Sequence, residues 1–134
     1  GGDAGSPDTF QKFYADVEMY ANNFDGTDPE PYLAQRMCRK VPGPDSQWQG
    51  ENINRFCDPD YDALVEELGA TADYDQRGEI AKRLNDMLTV ESYSMLPLIY
   101  RGDVSARSLA VDGIGNLNSW DSELWNIAEW YRVR

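Results

Sequence analysis

Residues 16–37 read DVEMYANNFDGTDPEPYLAQRM, and the pattern changes period partway through. From Asp16 to Ala21 the residues alternate. Val17 and Met19 fall on one face, Glu18 and Tyr20 on the other. That alternation predicts a half-buried strand. Asp28-Pro29-Glu30 then carries the signs of a helix start. Asp28 can accept from free backbone N–H groups, Pro29 suits the first turn, and Glu30 favours the positive end of the helix dipole. Pro31 still lies within the first turn, so a helix is expected to run to about Arg39.

Between the two elements stand Asn22, Asn23, Phe24, Asp25 and Gly26. Asp25-Gly26 would suffice for a turn, and Asp28 already accounts for the helix start. The remaining polar groups are surplus to both needs. In α/β proteins ligands gather beyond the carboxyl ends of strands, next to helix N-termini. Asn22, Asn23 and Asp25 occupy such a place. The asparagines offer donors and acceptors, and the Asp25 carboxylate suits a ligand cation such as an ammonium.

Further along, Asp58-Pro59-Asp60 repeats the helix start, and Tyr61, Leu64, Val65 and Leu68 follow at i, i+3, i+4 and i+7. These predict one apolar helix face, ending near Gly69 or at Ala70-Thr71. Asp73 or Asp75 opens another helix, with Ile80, Leu84, Met87 and Leu88 on one side. Gly78 weakens it by about 1 kcal/mol without breaking it. Residues 95–100, MLPLIY, read as a buried strand, which Pro97 confines to an edge or a bulge. Residues 104–111 read as further strand, and Asp112-Gly113 and Gly115-Asn116 as turns.

The connecting segments are simpler. Residues 9–14 suggest a short helix. Residues 40–49 read as a surface loop that Trp48 could anchor. Trp120, Trp125 and Trp130 recur every five residues, a period of neither helix nor strand, and are expected to pack against a body. The fold class is therefore α/β, with about three main helices and too few strands for a stand-alone domain. The chain reads as part of a larger fold.

The 134 residues carry 12 Lys plus Arg against 24 Asp plus Glu, a formal charge of −12. Such a surface repels phosphate backbones and anionic lipid, so nucleic acid is not an expected partner. No apolar run approaches the roughly 20 residues of a membrane span. Residues 1–9 read as a linker or a cut end rather than a signal peptide.

The chain has no His, which removes the commonest general base and metal ligand. The acids near Asp25 lack the alternating ligands and the sixth-position glycine of a calcium loop. No second acid stands out as a glycosidase partner. Catalytic residues, a metal and a cofactor are not expected, and an enzyme is not the reading. Two cysteines, Cys38 and Cys57, are too few for a zinc site. They form either a pair of free thiols or a disulfide closing a loop of about 20 residues, worth roughly 3 kcal/mol.

Four stretches, in this order, carry a resemblance. They are ADVEMYANNFDGTDPEPYL (15–33), NINRFCDPDYDALVEEL (52–68), DYDQRGEIAKRLNDML (73–88) and MLPLIYRGDVSA (95–106). Together they cover about half the chain. The series resembles the C-terminal part of the bacterial extracellular solute-binding proteins of the oligopeptide, dipeptide and nickel type (family 5), which serve ABC importers. The resemblance implies a two-lobed periplasmic-binding-protein-like fold that closes over a ligand. Residues 10–100 would belong to the C-terminal lobe. Residues 101–134 would be a crossover and return segment packing on an N-terminal lobe outside this chain, with a hinge near residues 100–104.

The resemblance further implies that Asn22, Asn23, Phe24 and Asp25 line the pocket. Asp25 would hold the free α-amino group of a short peptide. A tryptophan usual in the family is replaced by Asn22, which removes a stacking surface. The resemblance also implies a disulfide between Cys38 and Cys57, an extracytoplasmic location, and a membrane permease as partner. A non-peptide solute (a sugar or a nickel chelate) is the alternative within the same fold. A secreted structural module without a small ligand is the alternative outside it.

Overall fold

A computed structural model describes residues 6, 9–22, 26–99, 104–115 and 122–133. Three helices and a two-stranded sheet make up its regular structure, a mixed class with little strand. The helices are α1 (Glu30–Ala34), α2 (Pro59–Ala70) and α3 (Tyr74–Asp86). A single π turn, Met87–Glu91, continues α3. The strands β1 (Val111–Asp112) and β2 (Tyr131–Arg132) pair antiparallel, Val111 opposite Arg132 and Asp112 opposite Tyr131.

Each helix begins where an aspartate meets free backbone donors. Asp58 accepts from Asp60 N at 2.9 Å, and Asp73 accepts from Gln76 N at 2.9 Å. Asp28 accepts from Glu30 N at 3.0 Å. These bonds satisfy donors that a helix leaves open in its first turn. The ends are closed by hydroxyls and a guanidinium. Thr71 Oγ1 donates to Glu67 O, Arg77 Nη1 donates to Leu68 O and Thr71 O, and Ser92 Oγ donates to Met87 O and Leu88 O.

The expected apolar faces meet in one core. Tyr61, Val65 and Leu68 of α2 and Leu84, Met87 and Leu88 of α3 and its π turn are buried together with Leu33 and Met37. Leu64 and Ile80 pack at its margin. The Tyr61 hydroxyl donates to Leu33 O at 2.8 Å, tying α2 to α1 from inside the core. Burial raises the Tyr61 pKa above the ordinary phenol value; the nearby Arg36 charge opposes that shift, and Asp62 and Tyr32 add to it.

Three strand expectations fail among the described residues. Residues 16–21 are not strand, and Val17 and Met19 are 81% and 84% exposed. Residues 95–99 are not strand either, with Leu96, Leu98 and Ile99 exposed. Of residues 104–111 only Val111 joins a ladder. Alternation marks a segment that could pair, but a strand needs a neighbour to complete its hydrogen bonds. Among the described residues no strand pairs with 16–21 or 95–99. Position 100 of the second run lies outside the described residues, as does 101–103 of the expected hinge.

Helix α1 also ends five residues earlier than expected, at Ala34. At Met37 the chain is extended, with ψ 151°, and then makes a 3-10 turn over Cys38–Lys40. Distant groups set this break. The amide of Asn52 donates to the carbonyls of Arg36 and Met37 at 2.9 and 3.0 Å. The Asp62 carboxylate accepts from Cys38 N at 3.0 Å.

The short helix expected in residues 9–14 is a 3-10 turn, Phe10–Lys12. Lys12 places its ammonium 5.4 Å from the ring centre of Trp48, which anchors the loop at 40–49. That loop includes a 3-10 turn of its own, Pro44–Ser46. Trp120 lies outside the described residues, and Trp125 is half exposed. The Trp130 indole N–H donates to Asn126 Oδ1 at 2.9 Å, and Asn126 Nδ2 donates to Gly113 O at 3.0 Å. Gly113, with φ +85°, sits at the turn after β1, where a Cβ would collide with the Glu129 carbonyl.

Candidate functional site

Asn22 is the one residue of the expected ligand set that falls within the described residues. Asn23, Phe24 and Asp25 lie outside them. Asn22 borders an open cleft of about 680 Å³. Four segments build it: the Phe10–Lys12 turn, residues 20–22, the chain leaving α1, and the far limb of the loop between the cysteines.

That loop is held by the disulfide between Cys38 and Cys57, whose Cα atoms are 4.5 Å apart. This is the pairing implied by the resemblance. Inside the loop the two limbs run close together. Asn52 N donates to Lys40 O at 3.1 Å. A Cβ on Gly50 would stand 2.5 Å from Lys40 O and 2.8 Å from Pro42 N, so only glycine permits this approach of backbone to backbone. Under the loop the Asn52 amide also donates to Phe56 O at 2.7 Å, and Asn52 has no exposed surface.

Arg36 supports the same wall from below. It is 1% exposed and donates through Nη1 to Glu51 O at 2.6 Å. Its guanidinium lies 5.7 Å from the centre of the Tyr32 ring, and its Nε and Nη2 find no hydrogen-bond partner among the described residues. Sequence reasoning missed Arg36. Its spacing of three from Leu33 was the available signal, since it puts the side chain on the apolar side of the helix expected to run to Arg39.

The cleft lining mixes chemistries. Phe10 and Tyr20 stack with ring centres 6.1 Å apart and planes at 24°, giving one apolar wall. Asn22 Nδ2 donates to Gln35 Oε1 at 3.1 Å across the opening. Gln11 and Gln49 add two more carboxamides. Lys40 and Glu51 are paired at 2.9 Å, so their charges largely cancel. Arg39 meets Glu66 only at 3.8 Å, with both side chains well exposed.

Asp28, read in the sequence as a helix cap, has that role and faces α3 rather than the cleft. Its carboxyl is held below the usual carboxylate range, first by the Glu30 N–H and then by the Arg77 guanidinium. Among the described residues no group of three or more His, Cys, Asp or Glu could hold a metal ion, and no helix is long and apolar enough to cross a membrane.

The fold and site thus define a small mixed-class chain, stapled by one disulfide, with an open cleft of aromatic, amide and cationic side chains. No protein-family profile, curated protein or solved structure matches it.

Proposed function

We propose that this chain is part of an extracytoplasmic solute-binding protein of the oligopeptide, dipeptide and nickel type. In this reading it supplies one wall of a ligand site that closes by hinge motion and delivers a short peptide to a membrane permease. An N-terminal lobe outside this chain supplies the other wall. The observation that carries the reading is the place of Asn22. The residue that the resemblance assigns to the pocket borders the amide-rich cleft. The disulfide adds support for an oxidising compartment. The exposed apolar residues of segments 16–22 and 95–99 suit a body that this chain does not contain.

Asp25 takes the peptide amine in this reading. Binding by the chain alone is weak, because half the burial that excludes water is absent. Asp25→Ala in the complete protein should cost a peptide ligand about 2–5 kcal/mol, as for truncating one partner of a buried charge pair. Unchanged peptide affinity would remove that role.

A second reading, a sugar or other non-peptide solute, is favoured by the four carboxamides beside an aromatic wall. Unfolding the complete protein and identifying the released small molecule by mass spectrometry separates the two. A ladder of short peptides supports the first reading. A sugar or a metal chelate supports the second. A structural module without a ligand releases nothing and shows no ligand-induced decrease in radius by scattering.

A further inference from the structure

We propose that Arg36, Asn52 and Asn54 bind internal water in a buried site behind the cleft wall. The site is separate from the cleft and does not rest on the solute-binding reading. Among the described residues five buried side-chain atoms lack a hydrogen-bond partner, and four of them belong to these three residues. They are Arg36 Nε and Nη2, Asn52 Oδ1 and Asn54 Oδ1. Buried polar atoms without a partner in the chain are where ordered water or an ion is expected.

The three residues lie on one closed circuit of contacts. Arg36 Nη1 donates to Glu51 O at 2.6 Å. From Glu51 the chain runs through Asn52 to Asn54, whose Nδ2 donates to Ser94 O at 2.8 Å. The sulfur of the next residue, Met95, accepts from the Tyr32 hydroxyl at 3.6 Å. The Tyr32 ring centre lies 5.7 Å from the Arg36 guanidinium, which closes the circuit. Asn52 adds a shorter link, since its amide donates to Arg36 O at 2.9 Å.

The kind of atom left open decides the ligand. Asn52 Nδ2 meets three carbonyls and Asn54 Nδ2 meets one, so each amide presents its nitrogen there and keeps Oδ1 as the open acceptor. Arg36 offers only donors, and its guanidinium cannot lose its charge. Among the described residues it forms no ion pair. An anion would answer the guanidinium and leave the two amide oxygens unmet. A cation would answer the oxygens and repel the guanidinium. Water accepts from one and donates to the other, and a buried water makes about three such bonds.

The test is deuteron and oxygen-17 magnetic relaxation dispersion of the water signal. It counts waters held for longer than the protein takes to tumble. The complete protein is used, and each variant is read as a difference from the parent. Arg36→Met, an apolar chain of similar reach, should lower the dispersion step by about one water or more. Asn54→Leu, at a half-buried position, should lower it as well. Circular dichroism checks that the variants fold, and Asn54→Leu decides if Arg36→Met does not.

An unchanged step in a folded variant overturns the proposal. So does chlorine-35 line broadening by the parent that either variant abolishes, because an anion then holds the guanidinium. A lowered step without such broadening is the result expected.

Discussion

Arg77 reaches across 49 residues of sequence to Asp28, with Nη2 at 2.7 and 2.6 Å from the two carboxylate oxygens. The same guanidinium donates through Nη1 to Leu68 O and Thr71 O at the C-terminal end of α2. One side chain on α3 thus links the start of α1 to the end of α2. The arrangement places a cation at the negative end of the α2 dipole.

Asp28→Ala should destabilise the chain by about 1 kcal/mol, the sum of a lost cap and a solvent-screened ion pair. Arg77→Ala should cost more, about 2 kcal/mol, because two carbonyls also lose their donor. The pH dependence has a defined sign. Asp28 has a lowered pKa in the folded state, so its contribution is present above the ordinary carboxylate value of about 4. It is lost as pH falls through the lowered value. Urea titrations from pH 7 to pH 2.5 should show a smaller acid-induced loss for Asp28→Ala than for the parent sequence.

Tyr61→Phe should cost about 1 kcal/mol, since Leu33 O is left without the buried hydroxyl that now donates to it. Burial raises the Tyr61 pKa, so the neutral phenol is the form the fold favours. Its contribution is complete below the ordinary value of about 10 and declines as pH rises toward the folded value. The stability gap between Tyr61→Phe and the parent sequence should narrow above about pH 10, read by denaturant titration.

Reduction of the disulfide, or Cys38→Ser with Cys57→Ser, should cost about 3 kcal/mol for a loop of sequence separation 19. The cleft wall around Gly50 and Glu51 belongs to this loop. Hydrogen exchange should therefore rise first at Asn52, whose N–H is bonded to Lys40 O across the loop.

Asn52→Asp tests the support beneath the cleft. The carboxamide now donates to Arg36 O, Met37 O and Phe56 O. A carboxylate would face three carbonyl oxygens without a proton to offer, and the loss should reach about 3 kcal/mol at neutral pH. Repulsion and burial would raise the pKa of the new acid, so part of the stability should return as pH falls and it protonates. Thermal unfolding at pH 7 and pH 4.5 provides the comparison.

The features legible in the sequence are those that neighbours in sequence create. Asp58 and Asp73 cap helices because a capping oxygen reaches a donor only two or three residues away. Tyr61, Val65 and Leu68 form a buried face because helical geometry puts them on one side before any partner arrives. The disulfide was one of two readings of the sequence until the resemblance favoured it, and the folded chain brings the two cysteines together. Of the ligand residues expected at 22–25, only Asn22 is placed, and it borders the cleft.

Other features rest on groups far apart in sequence. Val17 and Leu96 have the spacing of strand residues, yet a strand's hydrogen bonds depend on a second segment, and among the described residues neither joins a ladder. The length of α1 is set by Asn52 and Asp62, which bind the chain at residues 36–38 from 15 to 24 positions away. The burial of Arg36 and the cleft itself arise only when the disulfide loop folds back over the end of α1. The sequence by itself determined where helices begin and which of their faces are apolar, because those are short-range matters of capping and period. Only the tertiary structure decided where α1 stops, which alternating segments stay unpaired and which polar groups share a cleft, because each depends on long-range contacts that no local pattern encodes.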